Sequence, residues 1–376
     1  MRIGILTPIY EPATGGAASY YSMISREFLK NKSITGVTII TEKHYLSPNR
    51  ETLLNGFCDV IRIFPFRSGR QENIFKKYLQ YFYQNILYFK LPSIIADCRV
   101  DILIVHSSFY NFPNILNPII TLISKTTIVI ADVRDCLLKK KDLNSLIIYN
   151  SIIACSENVD RHLSQYIPIY NLTELIPIPQ EKFIIKQSHA NLRILKKYNL
   201  KKSSYILYAG LLKSGKNINY LLETYIQYCK LESSPLPLVL AGIPKNKNLA
   251  KLAKNINGVS ILGEIKRVDL LKIIKFAALN VNLSLSEGMP RISLEALALN
   301  TKTILPQGIP EFDKYCKKWV AISYSSSSKL ALQFQRVLLS NDLPKYPVSN
   351  HSINNVIKKY YKIFTKFKRD DGYAKK

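Results

Sequence analysis

Short apolar runs without polar alternation recur along this chain, separated by longer stretches of helical spacing. MRIGILTPI, GVTIITE, DVIRIFPF, VDILIVHS, TTIVIADV, NSIIAC and TELIPIP form one set, and YILYAGLL, PLVLAG, GVSILG, LNVNLSLS and TKTILP form a second. A strand that is apolar at successive positions is buried on both faces, which is the pattern of a parallel sheet covered by helices on both sides. Two such sets predict an α/β protein of two Rossmann-like, doubly wound domains. The stretch IPIPQEKFIIKQSHANL between them is punctuated by proline and then polar, which suits a linker near residues 178–195. The expected division is 1–183, 184–350 and a C-terminal basic segment, 351–376, that forms an amphipathic helix returning toward the first domain. A further helix is predicted over 73–90, with Phe75, Tyr78, Leu79, Phe82, Ile86 and Phe89 on one face. That face suits either a core helix or an interfacial helix lying on a membrane.

Composition narrows the class. The chain has 376 residues, 47% of them hydrophobic, enough for two domains of ordinary size. No apolar run reaches the roughly 18–20 residues of a membrane span, and the apolar start before Pro8 reads as a first strand rather than a signal peptide. Six cysteines lie scattered, with neither a C-x-x-C pair nor metal-like spacing, which points to a reducing cytoplasm. Against 26 acidic residues stand 53 basic ones, a net charge of +27. Lysine-rich composition throughout explains part of this excess. The functional alternative is attraction to a polyanion, either an anionic membrane surface or nucleic acid. No basic-aromatic recognition motif accompanies the lysines, so nucleic acid is not expected as a partner.

In doubly wound sheets, ligands bind beyond the carboxyl ends of the strands, so the residues just after each strand carry the candidate chemistry. The most informative segment is SEGMPRISLEALALN, from Ser286 to Asn300. It parses as strand end, tight turn and helix, with Glu287 at the strand tip and Glu295 on the helix. A turn feeding a helix N-terminus offers N–H groups and a positive dipole end to an anion. Glu295 could accept hydrogen bonds from the hydroxyls of a sugar or ribose, and Glu287 would face the same crevice. Two solvated carboxylates at a helix start are the plainer reading. Lys216, in GLLKSGKNINYLL, lies between a strand and a helix, where it is either a surface lysine or a fixed cation. His106 ends the strand VDILIVHS, and Arg134, in IADVRDC, follows the next strand; an ion pair with Asp132 or Asp135 is the ordinary account of Arg134. Gly15 and Gly16 follow the first strand, where adjacent glycines mark a tight turn or close approach to a ligand. Neither an Asp-x-Asp at a strand end nor a His/Cys/Asp cluster with metal spacing is present in the sequence.

Taken in order, these motifs resemble the GT-B-fold retaining glycosyltransferases of glycosyltransferase family 4 (glycosyl transferases group 1). The Gly15-Gly16 loop, DILIVHSS, CSENVDRHL, LIPIPQEKF, ILYAGLLKSGKNINYLL, VSILGEI, the Glu287/Glu295 segment and PQGIPEF carry the resemblance across nearly the whole chain. It implies two domains facing across a cleft and transfer of a sugar from a nucleotide-sugar donor without a metal or other cofactor. The acceptor it implies is a lipid-linked glycan or other glycan of bacterial surface polysaccharide assembly. Glu295 would hold the ribose and Glu287 the donor sugar. The amides of Arg291 and Ile292 would bind the diphosphate, those of Gly288 and Met289 would approach the sugar, and Pro290, without an N–H, would shape the turn. Lys216 would neutralise the diphosphate as the glycosidic bond breaks. His106 would contact the donor sugar, and Gly15, Gly16 and Arg134 would serve the acceptor or a phosphate. Base selection would fall to contacts around Gly242 and Gly263 to Ile265. The resemblance also implies a cytoplasmic protein, peripheral on the inner face of the plasma membrane.

One position departs from the pattern. The family has an arginine directly after Gly210, where this chain has Leu211. Lys213 or Arg291 would then have to supply the missing charge. If neither does, the chain is a glycosyltransferase-like subunit that binds or regulates a partner enzyme.

Overall fold

The computed structural model describes residues 1–13, 15–43, 47–64, 86–107, 113–136, 144–165, 173–180, 192–245, 247–322, 324 and 326–370. Of the helix expected over 73–90, all but the last turn lies outside them. In that turn Ile86 and Phe89 are exposed while Tyr88 is buried. Most of the expected linker also lies outside the described residues. The chain divides into two compact units, Met1–Pro179 with Ile353–Lys376, and Gln180–Ser352.

The first unit is built on a sheet of eight strands: β1 (Arg2–Leu6), β2 (Gly36–Glu42), β3 (Arg50–Leu53), β4 (Cys58–Phe64), β5 (Ile102–His106), β6 (Ile128–Val133), β7 (Ser151–Ala154) and β8 (Thr173–Leu175), in the order β3-β4-β2-β1-β5-β6-β7-β8. All neighbours pair in parallel except β3, which runs antiparallel to β4. The apolar runs become the buried parallel strands, as continuous Val/Ile/Leu stretches should. β3 does not show in the pattern, because RETL alternates in burial and only Leu53 is apolar. It is held by the turn at Leu54, Asn55 and Gly56, all at positive φ, and by Arg62 of β4. The fully buried Arg62 side chain pairs with Glu51 at 2.5 Å and donates to the Glu11 carbonyl at 2.6 Å.

The C-terminal helix, Ile353–Asp370, completes this unit. Ile353, Val356, Ile357, Tyr360, Ile363 and Phe364 recur at helical spacing and join the core around Phe28. The Phe28 ring meets Tyr360 at 5.2 Å and Phe364 at 5.5 Å. Lys358, Lys359, Lys362 and Lys366 remain on the outer face. Its apolar stripe is thus buried within this unit, against Phe28 and the core of the sheet. Among the described residues, no helix is long and apolar enough to cross a membrane.

The second unit carries a five-stranded parallel sheet, β9 (Ile206–Ala209), β10 (Leu238–Ala241), β11 (Val259–Ile261), β12 (Leu279–Val281) and β13 (Thr303–Ile304), in the order β11-β10-β9-β12-β13. The strands are shorter than the apolar runs that announce them. In LNVNLSLS the ladder stops at Val281, after which the Asn282 side chain accepts hydrogen bonds from the amide and hydroxyl of Ser284 at 3.0 and 2.8 Å. That local turn lifts the chain off the sheet just before Glu287.

Candidate functional site

The carboxyl edge of the second sheet assembles most of the predicted residues. After β9, Gly210 adopts φ +142°, and Gly242, after β10, packs directly against its carbonyl. A Cβ on Gly242 would lie 1.8 Å from the Gly210 oxygen, so only glycine allows the two loops to meet. The chain then forms a short 3-10 turn, Ser214–Lys216, and reverses at Asn217, whose φ of 55° suits asparagine. Helix Ile218–Leu231 follows. A backbone hydrogen bond from the Leu285 amide to the Gly215 carbonyl, 3.2 Å, ties this turn to the loop after β12. It sets Lys216 opposite Glu287, and the two side chains form an ion pair. Lys213 is exposed and Leu211 is 45% exposed.

Beyond Glu287, Gly288, Met289 and Pro290 are buried and lead into helix Arg291–Ala298, which no side chain caps. The first-turn N–H groups, including that of Ile292, have no intrahelical acceptor. Glu295 is fully buried. Its Oε1 accepts from Arg291 Nε at 3.0 Å and from Arg267 Nη2 at 2.5 Å. Its Oε2 is buried with no hydrogen-bond partner.

Arg267 was not among the residues expected from sequence. It is the first residue of helix Arg267–Lys275, which follows β11. A signal was available: a cation at the first position of a helix opposes the macrodipole, which favours acids there.

The carboxyl edge of the first sheet holds a second cluster. His106 and Asp132 sit side by side at the ends of β5 and β6. Asp132 is completely buried and accepts from the Tyr21 hydroxyl at 2.7 Å. Arg134 turns inward onto Asp132 at 2.6 Å, lies over the Tyr20 ring at 3.8 Å, and donates to the hydroxyls of Tyr20 and Tyr360. The ion pair with Asp132, the ordinary account of Arg134, is therefore present. Arg134 Nη1 is nevertheless buried without a hydrogen-bond partner. Burial pulls His106 down to about 3, and the neighbouring Arg134 charge adds to the effect. The imidazole is thus neutral at physiological pH, able to exchange hydrogen bonds but not to act as a cation. Burial also raises Asp132, against the pull of Arg134. Gly15 stands at φ +153°, a conformation side chains rarely adopt, before the uncapped helix Gly16–Phe28, with the tip of the Ile9 side chain beside it, whereas Gly16 has open space around it. Among the described residues, no group of three or more His, Cys, Asp or Glu could hold a metal ion.

Residues 192–352 match the family described as Glycosyl transferases group 1. No curated protein matches the chain by sequence. Among solved structures, a sucrose-phosphate synthase from Thermosynechococcus elongatus superposes with TM-score 0.73 at 14% identity, covering 97% of this chain and 98% of that one. An alpha,alpha-trehalose-phosphate synthase (UDP-forming) from Burkholderia xenovorans, in complex with glucose-6-phosphate, gives 0.71 at 11% identity over 97% and 100%. An Escherichia coli structure described as trehalose-6-phosphate bound with UDP-2-fluoro glucose gives 0.66 at 13% over 97% and 96%. The architecture is thus the two-domain α/β GT-B fold. Residues 192–352 are thus similar to the glycosyl transferases group 1 domain, and the likeness to the solved structures extends to the fold of the whole chain.

Proposed function

We propose that the chain transfers a sugar from a nucleotide-sugar donor to an acceptor hydroxyl, retaining anomeric configuration and using no metal, as in glycosyltransferase family 4. The donor lies at the carboxyl edge of the second sheet. Ribose hydroxyls donate to Glu295, the diphosphate meets the uncapped helix at Arg291 and Ile292, and Glu287 with the Gly288–Met289 turn takes the sugar. As the bond from the anomeric carbon to the diphosphate oxygen breaks, charge grows on the departing diphosphate. Lys216 and the helix dipole are fixed where they can stabilise it. The new bond forms from the acceptor oxygen to the same carbon, and the acceptor proton leaves with the diphosphate.

One observation carries this reading: the orphaned Oε2 of a fully buried Glu295 beside an uncapped helix start. A buried acceptor without a donor costs about 1–3 kcal/mol, and a ligand hydroxyl is the group that satisfies it. For the acceptor, a lipid-linked glycan of surface polysaccharide assembly remains the first reading, with Gly15 and Gly16 on its side and the protein held to the inner membrane face through basic residues. A sugar phosphate is the second, favoured by the glucose-6-phosphate complex of the Burkholderia structure.

Thermal unfolding of the purified protein with UDP, GDP and ADP tests the donor site. A true ligand at 100 times its dissociation constant adds about 2.7 kcal/mol, and Glu295→Gln is expected to weaken binding at least ten-fold. Absence of any shift with all three nucleotides would overturn the proposal.

A further inference from the structure

His106 and Asp132 are register partners at the ends of β5 and β6, and Tyr21 touches both. Its ring meets the imidazole edge-on, with 5.8 Å between centroids, while its hydroxyl donates to Asp132 Oδ2 at 2.7 Å. The histidine and the aspartate therefore lie on one face of the sheet, beside helix Gly16–Phe28. A carboxylate close to an imidazole normally favours the imidazolium. Asp132 is fully buried, so its charge would act on His106 with little screening.

Arg134 intervenes. Its Nε pairs with Asp132 Oδ1 at 2.6 Å, so each carboxylate oxygen has a partner other than the histidine. The guanidinium is itself clamped. It lies over the Tyr20 ring at 3.8 Å, and Nη2 donates to the hydroxyls of Tyr20 and Tyr360, which are hydrogen-bonded to each other. Tyr20 comes from the first helix and Tyr360 from the C-terminal one, so two distant parts of the chain fix the arginine in place. As a contribution to stability the arrangement is poor. A buried ion pair returns little after desolvation, and Nη1 is left without a hydrogen-bond partner. Burial keeps the hydroxyls of Tyr20, Tyr21 and Tyr360 protonated. It also pushes the thiol of Cys155, which meets the Arg134 carbonyl from the end of β7, up to about 12. Asp132 and Arg134 are thus the charged members of this cluster.

We propose that Arg134 is a positioning residue for His106: by balancing Asp132 it lets that carboxylate orient Tyr21 against the imidazole without drawing a proton onto it. Tyr20 and Tyr360 hold Arg134 where it can do so. The inference rests on the sugar-transfer reading above only for the use of His106. A neutral imidazole donates from one nitrogen and accepts at the other, as a sugar hydroxyl requires, whereas an imidazolium only donates.

The test follows the His106 ring by NMR from pH 8 down to 4, with His106→Asn to identify its signals. In native protein the ring is expected to stay neutral over most of this range. Arg134→Gln leaves His106 beside an unbalanced carboxylate, and its protonation constant is expected to rise about 100- to 1000-fold, the effect of an opposite charge at close range. Arg134→Lys, which keeps a cation, and Arg134→Gln combined with Asp132→Asn are both expected to behave as native. Tyr20→Phe combined with Tyr360→Phe keeps every charge and removes only the clamp; a rise of about ten-fold is expected. A native ring that titrates above pH 6 overturns the inference, as does a native-like ring in Arg134→Gln. Where Arg134→Gln does not fold, the tyrosine pair decides in the same way. Equal titration in Arg134→Gln with and without Asp132→Asn also overturns it, since Asp132 is then not the source. Binding of UDP, GDP and ADP to the native protein decides the sugar-transfer reading separately; if none binds, that reading falls while the ring titration still assigns Arg134.

Discussion

Removing the Lys216 amine separates a catalytic cation from a structural one. In Lys216→Ala, the ion pair with Glu287 is lost, but both side chains are partly exposed, 25% and 18%. A pair of that kind is worth about 1 kcal/mol or less. In a unit of this size that corresponds to a fall of roughly 2–4 °C in Tm. If Lys216 stabilises the departing diphosphate, the kinetic loss is far larger, about 2.7–4 kcal/mol, or 10²- to 10³-fold in kcat. The assay is donor turnover at saturating nucleotide-sugar, read beside a thermal melt of the same preparation. Lys216→Arg, which keeps a cation in the turn, is expected to recover part of the loss. A kcat within ten-fold of native in Lys216→Ala refutes the reasoning.

Two further outcomes follow from the same geometry. His106 titrates at about 3 in the folded protein against 6.5 when unfolded, so the unfolded chain takes up the proton first and stability is lost as pH falls below about 6.5. Denaturant midpoints measured from pH 7.5 down to 5 should decline in the native chain and flatten in His106→Asn. Identical slopes in the two proteins would remove His106 as the source. In Gly242→Ala, the new methyl group meets the Gly210 carbonyl at 1.8 Å, forcing apart the loops that carry Lys216. A cost of about 1–3 kcal/mol in urea unfolding is expected together with weaker nucleotide binding, and an unchanged midpoint would sink the close-approach argument.

The two-sheet organisation was legible because buried parallel strands are read from local apolar runs, and every such run marked in the sequence became a strand. β3 was not, since its stability comes from Arg62 reaching Glu51 across a turn of three positive-φ residues, a contact with no periodic signature. The Glu287–Glu295 segment was legible as a turn into a helix, because glycine, proline and the ISLEALAL spacing act locally. Arg267 was hidden, since its meeting with Glu295 depends on two helices that follow different strands of one sheet. The inward turn of Arg134 was half visible: Asp132 stands two residues away in sequence, whereas Tyr360 arrives from a helix more than two hundred residues later. Periodicity predicts which face of an element is buried, but not which partner from a distant element will meet it.

Several breaks of local rules in this protein lie at the carboxyl edges of its two sheets. In the second unit they are two cations at positive helix ends, an unsatisfied carboxylate oxygen, a left-handed Asn217 and a Gly242 pressed on a carbonyl. In the first they are an unsatisfied guanidinium nitrogen, a fully buried aspartate and a histidine held neutral. Both sets lie at the carboxyl ends of parallel strands, while the strand interiors show the apolar burial expected of them. Departures of this kind cost stability and persist where something other than folding selects them. Loss of a surface ion pair would leave no such pattern, because exposed charges are satisfied by water. The second unit's edge lacks a guanidinium at Leu211, yet it carries two guanidiniums brought in from other strand ends. A diphosphate bound as proposed would find Lys216 and Arg291 along this edge in place of the arginine missing at Leu211, and that reading favours a working enzyme over an inert scaffold.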